Sequence, residues 1–302
     1  MKEGLSFSAL KRSRGSVEQL AKAIESNSRE KREDERFWEL TVDKAGNGHA
    51  VIRFLPAPPQ DGEDGLPWVR TFSHGFKGPG GWLIDQCPTT IEQKCPVCES
   101  NSLLWNSEIE ANKKVASSRK RRLSYTANIL VVTDPANPKN DGQVKLFRFG
   151  QKIFDKIYEK MNPDPAFGES PVNPFDLWCG MNFKLRARLV AGYRNYDSSE
   201  FAMVTAVSED DTRLEALWKS EHGLLQFLDV KNFKSFDQIK KRLGVVLGSA
   251  VVTETAEKAP SQRFSDEDAG IKLQPEVNNP VETTGDEEPD DLSFFKNIAD
   301  SE

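Results

Sequence analysis

The residues best equipped for chemistry in this chain are histidine and cysteine, and most of them fall in one short run. His74 is followed by Cys87 after twelve residues, by Cys95 after seven more and by Cys98 after two. A Cys-x2-Cys pair on a tight turn, with a distant Cys and His, offers four soft or borderline donors of the kind that tetrahedral zinc takes. Four protein ligands leave no open position, so the expectation is one structural Zn2+ per chain. The alternative is four residues that meet no metal, or a redox pair. Gly75, Gly78, Gly80 and Gly81 are read as letting the chain fold back around a small ion. The same run excludes a zinc nucleobase deaminase. That chemistry needs a His-x-Glu proton shuttle and Pro-Cys-x-x-Cys, whereas Phe76 stands two residues after His74 and Lys94 precedes Cys95.

A second chemistry lies in cations interleaved with aromatics. Lys113, Lys114, Arg119, Lys120, Arg121 and Arg122 form a run without an acid, and Tyr125 follows at once. Lys145, Phe147, Arg148, Phe149, Lys152, Phe154 and Lys156 make a second cluster. Lys184, Arg186, Arg188, Tyr193, Arg194 and Tyr196 make a third. Unpaired nucleic acid asks for this combination, because cations track phosphates while aromatic faces stack on bases at roughly 1–3 kcal/mol each. Each piece alone is weak, since a basic loop is often a solvated face and a strand aromatic is often core. Phe149 and Phe154 in particular fit a core as well as a platform.

The elements that must position these groups read as mainly β. Strand-like runs fall at 37–42, 49–55, 69–72, 125–133, 143–149, 182–190 and 201–208. Residues 44–48 (KAGNG) supply a hairpin turn between the first two. Helical patterns fall at 16–36, 150–162, 211–228 and 235–247. Short strands with few helices predict a barrel-like β core carrying a zinc-binding excursion over about 73–100. Cys179, the remaining cysteine, is expected to be a buried apolar residue. No run approaches 18 apolar residues and the N-terminus lacks a signal-peptide core. The expectation is a soluble intracellular protein with no membrane partner, its thiols reduced and open to metal.

Net charge is informative only when divided. The 302 residues carry a net −6, with 37% hydrophobic and 29% charged residues. Residues 251–302 hold 14 acids against 4 bases, leaving 33 acids and 37 bases in 1–250. A mildly basic body with a strongly acidic end suggests a polyanion-binding core and an anionic appendage. From about 255 the sequence loses periodicity and reads as disordered.

Several long motifs, AGNGHAVIRFLP, SHGF…W…C…CPVC, SYTANILVVTDPANPKNDG, FRFGQKIFDKI, AGYRNYDSSEF and the acidic end, resemble the T-even-phage type of single-stranded DNA-binding (helix-destabilising) protein over nearly the whole chain. The resemblance implies a basic arm (1–20) for protomer–protomer cooperativity, through Lys11, Arg12 and Arg14. It implies an OB-fold core (21–254) with an inserted zinc subdomain, and a tail (255–302) that recruits replication, recombination and repair proteins. It also implies that Trp105, Tyr125, Phe147, Tyr193 and Tyr196 line the DNA cleft, with Arg121, Arg122 and Arg148 near the phosphates. The setting it implies is the cytoplasm of an infected bacterial host. The chain departs from the family at KRSRGS (11–16), which is interrupted and starts late. It departs again at Leu123, where a hydroxyl residue is expected, and at Glu92 and Ala116, where tyrosines are expected. The expectation is a non-enzymatic protein that coats single-stranded DNA cooperatively and without sequence preference. The rivals are a zinc-containing RNA-binding translational regulator and, in another class, a nuclease. A nuclease needs paired carboxylates beside an open metal, and the only acid-dense stretch is the tail.

Overall fold

The computed structural model describes residues 34–248. The arm with Lys11, Arg12 and Arg14, the helix expected over 16–36 as far as residue 33, and the tail from 255 lie outside the described residues. The boundary between two compact units falls after Trp38. Of the first unit the described part is a turn, in which the Phe37 N–H donates to the Asp34 carbonyl and Arg36 pairs with the Asp34 carboxylate at 2.7 Å, followed by the short strand β1 (Phe37–Trp38).

The second unit is built on antiparallel strands. β2 (Gly48–Phe54) lies between β5 (Arg122–Thr133) and β7 (Met181–Val190), with Ile52 facing Val131 on one side and Phe183 on the other. β5 is the spine, because its twelve residues serve three partners in turn. Its start pairs with β3 (Trp68–Gly78), its middle with β6 (Val144–Phe149) and its end with β2. β3 turns back into β4 (Gly81–Gln86), while β8 (Tyr193–Asn195) and β9 (Glu200–Val204) flank β7. Five helices stand around this sheet among the described residues: α1 (Pro96–Trp105), α2 (Glu110–Ser118), α3 (Gln151–Met161), α4 (Asp211–Lys219) and α5 (Phe236–Val246). The expected class, mainly β with peripheral helices, is the one found.

Alternation along β2 drives the core. Ala50, Ile52 and Phe54 are buried, and the Phe54 ring meets Phe149, Phe175, Phe183 and Phe201 at 5.5–6.4 Å between centroids. Arg53 points the other way and is also buried. Its guanidinium donates to the carbonyls of Asp176 (2.7 Å) and Thr205 (2.9 Å), tying two distant loops to one strand. These carbonyls offset part of the cost of burying the cation, while its Nε has no hydrogen-bond partner among the described residues.

Four expectations change. The turn at 43–47 forms, with the Ala45 and Asn47 N–H groups donating to Asp43 Oδ1, but residues 39–43 are irregular and β2 spends both its edges on β5 and β7, so no hairpin precedes it. Local hairpins form instead at β3–β4 and β7–β8. α1 and α2 interrupt the stretch between Cys95 and β5, where no helix was expected. α4 stops at Lys219 rather than 228. Cys179 is exposed, not buried, because it sits in a tight turn whose Trp178 and Cys179 N–H groups both donate to the Asp176 carboxylate.

The excursion after β3 is less local than its sequence suggests. Phe76, Leu83, Cys87, Cys95 and Val97 share one apolar cluster with Ile239, Leu243 and Val246 of α5, some 150 residues on. The glycines at the β3–β4 turn serve that contact. A Cβ on Gly80 would stand 1.9 Å from the Val245 carbonyl oxygen, and one on Gly78 2.3 Å from that of Val246. With no Cβ in the way, the Gly80 N–H donates to the Val246 carbonyl at 2.9 Å. These glycines are required by close backbone approach, not by wrapping an ion.

Candidate metal centre and nucleic-acid interface

Three elements deliver the four predicted ligands. His74 is on β3, Cys87 follows β4, and Cys95 and Cys98 sit at the N-cap and in the first turn of α1. Pro96 suits the first helical position because it has no N–H to leave unsatisfied. The helix N-terminus also favours anionic sulfur nearby. All four ligand atoms lie within 4.8 Å of one another. His74 Nε2 is 3.4 Å from Cys95 Sγ and 3.5 Å from Cys98 Sγ, and Cys87 Sγ is 3.6 Å from Cys98 Sγ. A tetrahedral ion with Zn–S of about 2.3 Å and Zn–N of about 2.0–2.1 Å sets S–S edges near 3.8 Å and N–S edges near 3.5 Å. The donor set and spacing fit a closed four-ligand metal site.

Held this close, the four groups perturb one another. Burial of the His74 ring opposes its charge, yet the thiols of Cys87 and Cys95 outweigh that and raise it to about 9. Hydrogen bonds from Cys95 and Cys98 push the Cys87 thiol far below its ordinary range, and Cys87 and Cys95 push the Cys98 thiol up. One cation shared by deprotonated ligands resolves that competition. Around the ligands, His74 Nδ1 lies 3.3 Å from the Arg119 carbonyl, which also accepts from Asn101 Nδ2 at 2.8 Å. That contact assigns the proton to Nδ1 and leaves Nε2 as donor to a metal. The Thr89 hydroxyl is 3.1 Å from Cys87 Sγ and accepts from Arg121 Nη1 at 2.8 Å.

The basic and aromatic residues divide by burial. Lys114, Lys120 and Arg121 are exposed, while Lys113, Arg119 and Arg122 are half-buried. Lys113 is less free than a run without acids suggests, since Glu110 one helical turn earlier pairs with it at 2.9 Å. Burial holds the Arg119 guanidinium below its ordinary range, and its charge lies over the Phe76 ring. Trp105 and Tyr193 present open faces, at 50% and 45% exposure. Arg148, Arg194 and Tyr196 are half-buried.

Tyr125 and Phe147 are 5% and 4% exposed, so they do not stand open as the cleft-lining role requires. The Tyr125 ring stacks on Phe154 at 4.0 Å and 4° and on Phe149 at 5.8 Å, and Phe147 stacks on Phe149 at 5.5 Å. The Tyr125 hydroxyl donates to Gln151 Oε1 and is pushed up from its ordinary value by burial. Alternation puts Lys145, Phe147 and Phe149 on one face of β6, and there both phenylalanines are buried against each other. Of the two positions where the resemblance implies tyrosines, Glu92 takes a left-handed backbone (φ 58°) after the turn at Pro88–Ile91, and Ala116 is buried.

Two of the three clusters, far apart in sequence, meet on β5, and the third reaches the second through α3. Arg119–Arg122 leads into its first residue, and β6 pairs along it, Thr126 against Arg148. α3 stacks Phe154 on Tyr125, and its Lys152 and Lys156 reach Asp197, next to Tyr196, at 3.7 and 3.0 Å. Sequence reasoning missed Arg70, which faces Tyr125 across β3 and β5 and lies over Phe72, and it missed Thr89. Their only signals were an isolated cation in a strand and a hydroxyl two residues from a ligand.

Comparison with known proteins places this arrangement. A family model described as gp32 DNA binding protein like matches residues 46–247. The single-stranded DNA-binding protein of Enterobacteria phage T4 is 39% identical over 246 residues, covering 78% of this chain and 79% of that protein. The protein of the same description from Enterobacteria phage T2 is 37% identical over 260 residues, 83% and 84% of the two chains. A shorter one from Enterobacteria phage RB70 is 38% identical over 111 residues. The chain belongs to the gp32-like family of DNA-binding proteins.

Proposed function

We propose that this chain binds single-stranded DNA without sequence preference and coats it cooperatively during phage replication, recombination and repair, in the cytoplasm of the infected bacterial cell. It does so without catalysis, by favouring the unpaired strands through mass action. The meeting of two basic and aromatic clusters on β5, with the third tied to them through Asp197 and α3, carries this reading, and the printed names of the T4 and T2 relatives support the choice of ligand. Zinc is the ion we assign to His74, Cys87, Cys95 and Cys98, in a structural role. The phosphate-tracking cations are Lys113, Lys114, Arg119, Lys120, Arg121, Arg122, Arg148 and Arg194. Trp105, Tyr193 and Tyr196 supply stacking, while Tyr125 and Phe147 belong to a buried aromatic layer with Phe149 and Phe154.

We read the core as an OB-type barrel, which the three successive partners of β5 support. The division into arm (1–20), core (21–254) and tail (255–302), with Lys11, Arg12 and Arg14 acting between protomers and the tail recruiting partner proteins, rests on sequence and family membership. Titration of matched poly-dT and poly-rU at fixed salt tests the ligand. Preference for DNA, or parity, is expected. A marked preference for RNA through the 2′-hydroxyl would move the assignment to an RNA-binding regulator.

A further inference from the structure

We infer that the metal centre positions a DNA-contacting cation through Thr89, so that metal loading and single-strand binding are coupled through one named side chain. The inference rests on the assignment of Arg121 as a phosphate contact. Cys87 Sγ lies 3.1 Å from Thr89 Oγ1, which accepts from Arg121 Nη1 at 2.8 Å. A hydroxyl has one proton and two acceptor pairs. Because Arg121 fills an acceptor position, the Thr89 proton is left to donate to the ligand sulfur. The guanidinium itself lies over the Phe72 ring at 4.1 Å, and Phe72 is fastened to the same turn. Its N–H donates to Thr90 Oγ1 at 2.8 Å, and its carbonyl accepts from the Cys87 N–H at 2.8 Å.

The other end of the basic segment is held in the same manner. The Arg119 carbonyl meets His74 Nδ1 at 3.3 Å, the face of that ring away from the ligand nitrogen. Two ligands therefore each fix one end of Arg119–Arg121 through an outer contact, and neither contact consumes the charge. Arg121 keeps its remaining N–H donors for phosphate, with its rotamer already chosen. Choosing it in advance removes an ordering cost from binding. Coupling of this kind is reciprocal, so bound DNA tightens the metal by the factor by which the metal tightens DNA.

The test is a double-mutant cycle on the full-length, zinc-loaded protein with a single-site oligo-dT. Thr89→Val should weaken binding by about fivefold, the scale of one typical hydrogen bond lost. Thr89→Ser should restore it, and the double variant with Arg121→Gln should bind no worse than Arg121→Gln alone. Zinc extraction by a chelator gives a readout that does not depend on how Thr89→Val folds. Oligo-dT should slow extraction from the wild-type protein and lose most of that effect in Arg121→Gln. Additive losses in the cycle, wild-type affinity in Thr89→Val, or equal protection of zinc in Arg121→Gln each overturn the relay. If Arg121→Gln binds DNA as the wild type does, the relay falls together with the assignment of Arg121. Additive losses with a weakened Arg121→Gln leave that assignment standing.

Discussion

At the scale of single residues, the least comfortable group in the core is Glu221. It is 2% exposed and neither carboxylate oxygen has a hydrogen-bond partner. Burial first, and the nearby Asp61 charge second, raise it to about 9 from 4.5. Asp61 Oδ2 accepts from the Leu224 and Leu225 N–H groups. The folded state keeps the Glu221 proton while the unfolded chain loses it above about pH 4.5. Stability is therefore expected to fall as pH rises from there towards 9. Glu221→Gln should raise the melting temperature at pH 8 and flatten its pH dependence, with a gain on the order of 3 kcal/mol at neutral pH. A variant whose melting point follows pH as the wild type does would show that Glu221 ionises without cost in the fold. The contact residues differ in kind. Arg121→Ala should weaken DNA binding at all sequences and reduce the log–log salt slope by about 0.7, the share of one phosphate on a single strand. Tyr193→Ala should weaken binding with little change in slope, because stacking releases few ions. Identical slope changes in the two would contradict this division of roles.

At the scale of elements, α5 and the β3–β4 hairpin depend on each other. Ile239, Leu243 and Val246 complete an apolar cluster that includes Cys87 and Cys95, and Ser235 and Gln238 fix the start of the helix by a reciprocal capping box. Gly80→Ala would drive a methyl into the Val245 carbonyl, and the hairpin or the helix end must shift. A loss of at least about 2 kcal/mol is expected, read by thermal or denaturant unfolding. Cys95→Ser, or strong chelation, should lower thermal stability and open 73–100 to protease, since ligand binding in such sites is part of the folding free energy. Metal analysis finding no zinc in the native protein would remove the basis for this. The helical pattern of α5 was legible in the sequence. Its partner was not, because periodicity reports that a face is buried and never what buries it.

At the scale of the whole molecule, charge is divided unevenly along the chain. Residues 251–302 carry fourteen acids against four bases, while Lys120 and Arg121 of the core are exposed. Attraction between them is screened over about 10 Å at 0.1 M salt. Removing 255–302 is expected to increase duplex-melting activity at low salt, with the difference fading as ionic strength rises, and to abolish recruitment of partner proteins. If truncation changes neither melting nor recruitment, the tail is a passive solvating segment. Leu292, Phe294, Phe295 and Ile298, scattered among its acids, are the apolar anchors a partner would use.

The sequence by itself determined what depends on residue type and short spacing. That includes the ligand set at His74, Cys87, Cys95 and Cys98, most strand positions, and the contrast between a basic body and an acidic end. Only the tertiary structure decided which aromatics stay open. Tyr125 and Phe147 carry the same strand signature as a stacking platform, yet α3, arriving from further along the chain, lays Phe154 on one ring and closes the layer. Cys179 failed in the opposite sense: an apolar neighbourhood in sequence became an exposed turn because Asp176 captured its backbone. The Thr89–Arg121 contact spans 32 residues and was invisible for the same reason. Local sequence sets what a side chain can do, but burial and pairing depend on which distant segment packs against it, and long-range contacts alone settle that.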